Sequence, residues 1–150
     1  MAQIANITVF DGAATPVSHT LVAISVTREK GKVIALWREQ LASLPVYAQV
    51  SAVATIEQLK SGVWKTEVRV EVPVMESISG QNAAGYTAAP KVAYVNTTIH
   101  TSFFHERSDI AGRRLARQLL ANLMGNISTS VAAATSGPVP DLVDGLVAPT

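Results

Sequence analysis

The chain has 150 residues, and its 12 basic and 11 acidic side chains leave a formal charge of +1. That length suits one domain spanning 1–150, since halves of it would each bury a poor core. Hydrophobic residues make up 48% and charged residues 15%, against roughly 25% charged in a typical soluble domain. The composition argues against disorder, and it leaves either a small neutral surface or one that another chain covers. With no cysteine, disulfides, thiolate metal sites and thiol nucleophiles are excluded. The first ten residues alternate like a strand rather than a signal peptide, and no apolar run approaches the roughly 18 residues of a membrane span.

In chain order, residues 3–10 place Ala5, Ile7 and Val9 on one face and end at the Asp11-Gly12 turn signal. Residues 18–27 read as a second strand, with Val22, Ile24 and Val26 together. A charged turn at 28–32 leads to a third strand over 33–39. Residues 47–59 put Val50, Ala52, Ala54 and Ile56 on one side and Gln49, Ser51, Val53, Thr55 and Glu57 on the other. After a short loop at 60–62, Trp64, Val68, Val70, Val72 and Val74 oppose Lys65, Glu67, Arg69 and Glu71. Period two sustained this long predicts an antiparallel sheet with one buried and one polar face.

Residues 77–91 are rich in glycine and alanine and carry no charge before Lys91. They read as a long loop, and loops of that length are commonly functional or mobile. The last strand, 92–104, shows Tyr94, Asn96, Thr98 and His100 on one face and Val95, Thr97, Ile99 and Thr101 on the other. Ser108-Asp109 caps a helix with Ala111, Leu115, Leu119 and Leu123 on its apolar side, and Gly125-Asn126 stops it. A short second helix is expected at 127–135, and a final turn or two at 140–147.

Little of this is catalytic. There is no phosphate-cradling glycine motif, no HExxH and no GxSxG, and His19, His100 and His105 lack ligand spacing. No enzyme activity, cofactor or metal is expected. His100 reads as a plain strand polar residue, Phe103-Phe104 as packing, and Trp37 and Trp64 as core or interface anchors. Arg107, Arg113, Arg114 and Arg117 suggest a polyanion-binding helix, against the plainer reading of a solvated face with Asp109 as a local partner. Because the chain is nearly neutral, RNA binding would need a concentrated site rather than a broad basic field. Tyr94 offers a stacking surface for a base and Asn96 a donor and acceptor, with Lys65 and Arg69 on the neighbouring strand to meet phosphates.

The order of elements, with VEVP at 70–73, KVAYVN at 91–96, the helix from Asp109 and VPDLVDGLV at 139–147, resembles the coat proteins of single-stranded RNA bacteriophages, the leviviruses. The resemblance covers nearly the whole chain. It implies an α+β fold, with an N-terminal β-hairpin and a five-stranded antiparallel sheet followed by C-terminal helices. Two chains would join edge to edge into a ten-stranded sheet, each chain's helices crossing the other's sheet. As partners it implies the chain itself, in an obligate homodimer and an icosahedral shell, and a genomic RNA hairpin, but no membrane. That hairpin would be bound for packaging and translational repression, in virions assembled in a bacterial cytoplasm. By the VEVP and YxN matches, the RNA-contacting positions would be Thr55, Lys65, Glu67, Arg69, Tyr94, Asn96, Thr98 and His100.

Val53 and Glu67 stand where relatives carry hydroxyl residues, which implies a different hairpin or weaker specificity, and Glu67 needs a basic partner. The resemblance also makes 77–91 an assembly loop around the shell's symmetry axes, with Gly80, Gln81, Asn82, Gly85, Tyr86 and Pro90 as its key residues. Two other readings stay open: a dimeric RNA-binding regulator that forms no shell, and a small α+β enzyme or ligand-binding domain using the Tyr94/His100 face.

Overall fold

The computed structural model describes residues 4–77, 80 and 83–150. Six strands form one antiparallel sheet in chain order: β1 (Ile7–Phe10), β2 (Ser18–Glu29), β3 (Lys32–Glu39), β4 (Ser51–Gln58), β5 (Trp64–Met75) and β6 (Val92–Phe104). Two helices follow, α1 (Ile110–Gly125) and α2 (Pro138–Val143). The expected hairpin and the expected sheet share a strand. Ser18–Leu21 of β2 pair with β1, and Leu21–Glu29 pair with β3 across a register shift between Ala23 and Ser25. This explains six strands where a separate hairpin plus five would give seven.

Local chemistry sets the turns. Asp11 Oδ1 accepts from the backbone N–H groups of Ala13 and Val17, both at 3.0 Å, closing the β1–β2 connection. Those two hydrogen bonds hold its carboxyl below the usual carboxylate range. Lys30 and Gly31, with φ of 48° and 83°, make the doubly left-handed two-residue turn that fits the twist of paired strands.

The core lies on one face of the sheet: Leu21, Ala35, Trp37, Ala52, Ala54 and Ile56, with Leu142 of α2 set among them. Trp37 is buried and donates its indole N–H to the carbonyl of Ala5 at 2.8 Å, tying the N-terminal segment down. The Ile4 N–H bonds the Thr150 carbonyl at 2.7 Å, so both ends of the chain meet over the core. Because Leu142 is wholly buried, Leu142→Ala should cost about 2–5 kcal/mol. A lower chemical-denaturation midpoint would show this; an unchanged midpoint would remove α2 from the core.

Three expectations change. The bulge at Ile24 breaks the Val22, Ile24, Val26 face, and Leu21, Ala23 and Val26 turn to the core instead. β4 starts at Ser51 rather than 47, because Pro45 opens a 3-10 turn at Val46–Ala48. Residues 127–135 form no helix; so short a segment, with three of its first four residues Ser or Thr, gains too little to offset the cost of nucleating one. By contrast, α1 is capped as read: Asp109 Oδ1 accepts from the Gly112 N–H at 2.8 Å, and Asn126 ends it at φ 49°.

Candidate nucleic-acid interface and subunit edges

Directly paired residues in an antiparallel sheet project to the same side. The register therefore fixes which side chains share the face opposite the core. Lys32, Glu57, Lys65 and Phe103 form one row across β3–β6, and Ile34, Thr55, Glu67 and Thr101 the next. Leu36, Val53, Arg69 and Ile99 form a third, and Arg38, Ser51, Glu71 and Thr97 a fourth. Charges on β4 and β5 of this open face neutralise one another locally. Lys65 Nζ stands 3.5 Å from both Glu57 and Glu67, and Arg69 Nε is 3.4 Å from Glu71. Glu67 thus has the basic partner its position demands.

Four of the eight predicted RNA positions, Thr55, Lys65, Glu67 and Arg69, lie on this face. The other four do not. Tyr94 pairs with Val74, Asn96 with Val72, Thr98 with Val70 and His100 with Val68, all on the core side of the sheet. The alternation within β5 and within β6 was read correctly. Only the register between β5 and β6 decides how the two patterns combine, and a slip of one residue inverts the result. Motif matching placed Tyr94 and Asn96 beside Arg69; the pairing places Thr97, Ile99 and Thr101 there instead. Phe103, read as packing, is 60% exposed on the open face. Their one sequence signal was membership of the opposite alternation.

His100 accompanies Arg117, Leu120, Ala121, Met124 and Val139 around a cavity of about 200 Å³ on the core side. Its ring nitrogen lies 3.1 Å from the Ser102 hydroxyl. Among the described residues no group of three or more His, Asp or Glu is arranged to hold a metal ion.

Three of the four clustered arginines take neither of the roles weighed for them. Arg113 is buried, donates from Nε to the Asp144 carbonyl at 2.7 Å, and reaches the Ser108 carbonyl and hydroxyl. Arg114 and Arg117 grip the Asp144 carboxylate, at 3.1 Å and 2.8 Å. Burial pushes the Asp144 carboxyl up, but hydrogen bonds from Arg117 and Arg114 outweigh it and hold the group below the usual range. The same contact raises the Arg117 guanidinium further. These arginines bolt α1 to the C-terminal segment.

Among the described residues, two adjoining surfaces at the β6 side of the sheet lack partners within the chain. β6 pairs with β5 along one side only, so its outer edge is unpaired. On α1, Leu115, Leu119 and Leu123 are 60%, 60% and 78% exposed. An apolar groove of about 430 Å³ lies nearby on the core side, lined by Val9, Phe10, Val50, Val68, Val70 and Val72 among others. In the long loop, Gly80 and Gly85 adopt φ of 83° and 77°, Tyr86 is exposed, and Gln81 and Asn82 lie outside the described residues. The Tyr47 hydroxyl pins the loop's end by donating to the Pro90 carbonyl at 2.6 Å.

Comparison with known proteins agrees with this geometry. The virus-like particle protein of bacteriophage EMS014 is 29% identical, with a TM-score of 0.70 over 87% of this chain and 82% of that one. The virus-like particle protein of bacteriophage ESE058 has the same fold at 20% identity, with a TM-score of 0.71 over 97% and 98% of the two chains. The capsid protein of bacteriophage GA shares the fold at 15% identity, with a TM-score of 0.59 over 95% and 94%. No curated protein gives a significant match. The family profile described as levivirus coat protein matches residues 2–147. With a continuous six-stranded sheet, trailing helices and a profile match across nearly its full length, the chain belongs to the levivirus coat protein family.

Proposed function

We propose that the chain is the shell-forming subunit of an RNA phage virion, built from dimers joined through β6, with RNA held against the open sheet face. The unpaired β6 edge beside the uncovered apolar side of α1 carries this reading. A second copy related by a two-fold axis supplies both missing partners at once: its β6 pairs the edge, and its α1 lands on the core-side groove. Tyr94, Asn96 and Thr98 share the side of the sheet that this helix crosses, so they serve the subunit contact. The virus-like particles formed by the EMS014 and ESE058 proteins support closed assembly. Residues 77–91 are the assembly loop in this scheme, where glycines at left-handed φ let one sequence suit unequal surroundings. Packaging of a genomic hairpin and repression of translation follow the same reading, with assembly in the host cytoplasm.

Electron microscopy of the purified chain, with extraction of its nucleic acid, tests the proposal. Uniform closed particles containing RNA are expected, and RNA-bound dimers that never close would favour a regulator instead. The face assignment has its own test. Arg69→Gln should weaken RNA binding and lower the salt slope of affinity by about one, while Asn96→Ala leaves both unchanged. The reverse pattern would return the site to the face the YxN match suggested.

A further inference from the structure

Arg38 is half-buried on the open face, yet it has no ion pair or hydrogen bond among the described residues. Its neighbours across the ladders are Val22 and Ser51, neither of them acidic. Lys65 and Arg69 on the same face each have a glutamate within 4 Å. The Arg38 Nε is shielded from solvent and has no acceptor, an arrangement that carries a desolvation penalty with no return inside the chain. Beside it lies a depression of about 380 Å³ walled by Leu41, Leu44, Val46 and Gln49. Gln49 is 8% exposed and spends its amide N–H groups on the Leu41 and Leu44 carbonyls. That fixes the amide orientation and leaves its Oε1 buried without a donor. A half-buried cation without a counter-charge among the described residues therefore stands beside an open hollow.

We infer that Arg38, beside the adjoining hollow, forms a phosphate site for RNA at the β3 margin of the sheet, resting on the reading that the open face meets RNA. A guanidinium without a carboxylate suits a phosphodiester, which accepts from it in a fork. The strand spacing of about 4.8 Å puts Arg38 and Arg69 roughly 12 Å apart across the face, a distance that successive phosphates of one bound strand can bridge. Arg38 extends the contact beyond β4–β6, onto a strand where the motif matches placed nothing.

The test titrates labelled oligouridylate onto the full-length wild-type protein and onto Arg38→Gln, Arg38→Lys and Arg69→Gln variants over a range of salt. Arg38→Gln should lose several-fold in affinity and about one unit of salt slope, and Arg38→Lys should keep most of the slope. If Arg69→Gln weakens binding and Arg38→Gln does not, this site is wrong while the RNA-binding face survives. If the wild type shows no salt-dependent binding, the face itself is wrong. Particle yield is read alongside: a fall in yield for Arg38→Gln at unchanged RNA affinity would assign Arg38 to a protein contact and overturn the site.

Discussion

Leu119→Glu should abolish dimer formation, and with it every larger assembly. On the isolated chain this side chain is 60% exposed, and a surface substitution of that kind ordinarily changes stability by no more than about 0.5 kcal/mol. Against a partner's sheet, the same carboxylate would be buried without a counter-charge at a cost of several kcal/mol per subunit. The two situations differ by far more than the error of a sedimentation or denaturation measurement. A Leu119→Glu protein that still forms wild-type dimers and particles would show that α1 faces solvent, and the covered-helix account would fall.

The second large effect sits at the other end of α1. Asp144→Ala should cost about 3–5 kcal/mol, because it strands the Arg114 and Arg117 guanidinium groups without their buried carboxylate. The C-terminal segment would then detach, taking Leu142 out of the core. Asp144→Asn keeps the shape and part of the hydrogen bonding, so its loss is smaller. Acid has a related effect. The folded-state pKa of Asp144 lies below its unfolded value, so the unfolded chain takes up the proton first as pH falls. The carboxylate's contribution is full above about pH 4 and declines as pH drops toward the folded value. Urea midpoints of wild type and Asp144→Asn should differ at pH 7, and the gap should narrow as pH falls below about 4. A gap that stays constant would mean that Asp144 is not the anchor.

Much of this fold was legible because strand alternation and helix capping are local. The Trp64–Val74 pattern on β5, the Asp109 cap and the Asn126 stop each follow from a few adjacent residues. What could not be read depends on distant pairings. No local feature tells which face of β6 aligns with which face of β5; that follows from the length and path of the connecting loop and the register shift at Val74/Met75. Half of the predicted RNA positions crossed to the other side for this reason. The arginine cluster illustrates the same limit, since Asp144 lies 27 residues from Arg117 in sequence. Nothing near α1 announced it. Arg117 also donates to the Ala134 carbonyl at 2.7 Å, helping to hold as irregular chain a segment whose alanines suggested a helix. Arg38 went unremarked because an arginine in an alternating strand looks like any solvated side chain until its neighbours are known.

A second copy completing the β6 edge is the claim on which the rest depends, and hydrogen exchange at the β6 backbone reads it directly. Every other amide of an edge strand points away from its single neighbour and exchanges quickly in water. In the intact dimer, released from particles, both alternating sets of amides in the middle of β6 should be protected to a similar degree. Protection limited to the set that faces β5, with rapid exchange of the other, would leave the edge bare and contradict the account.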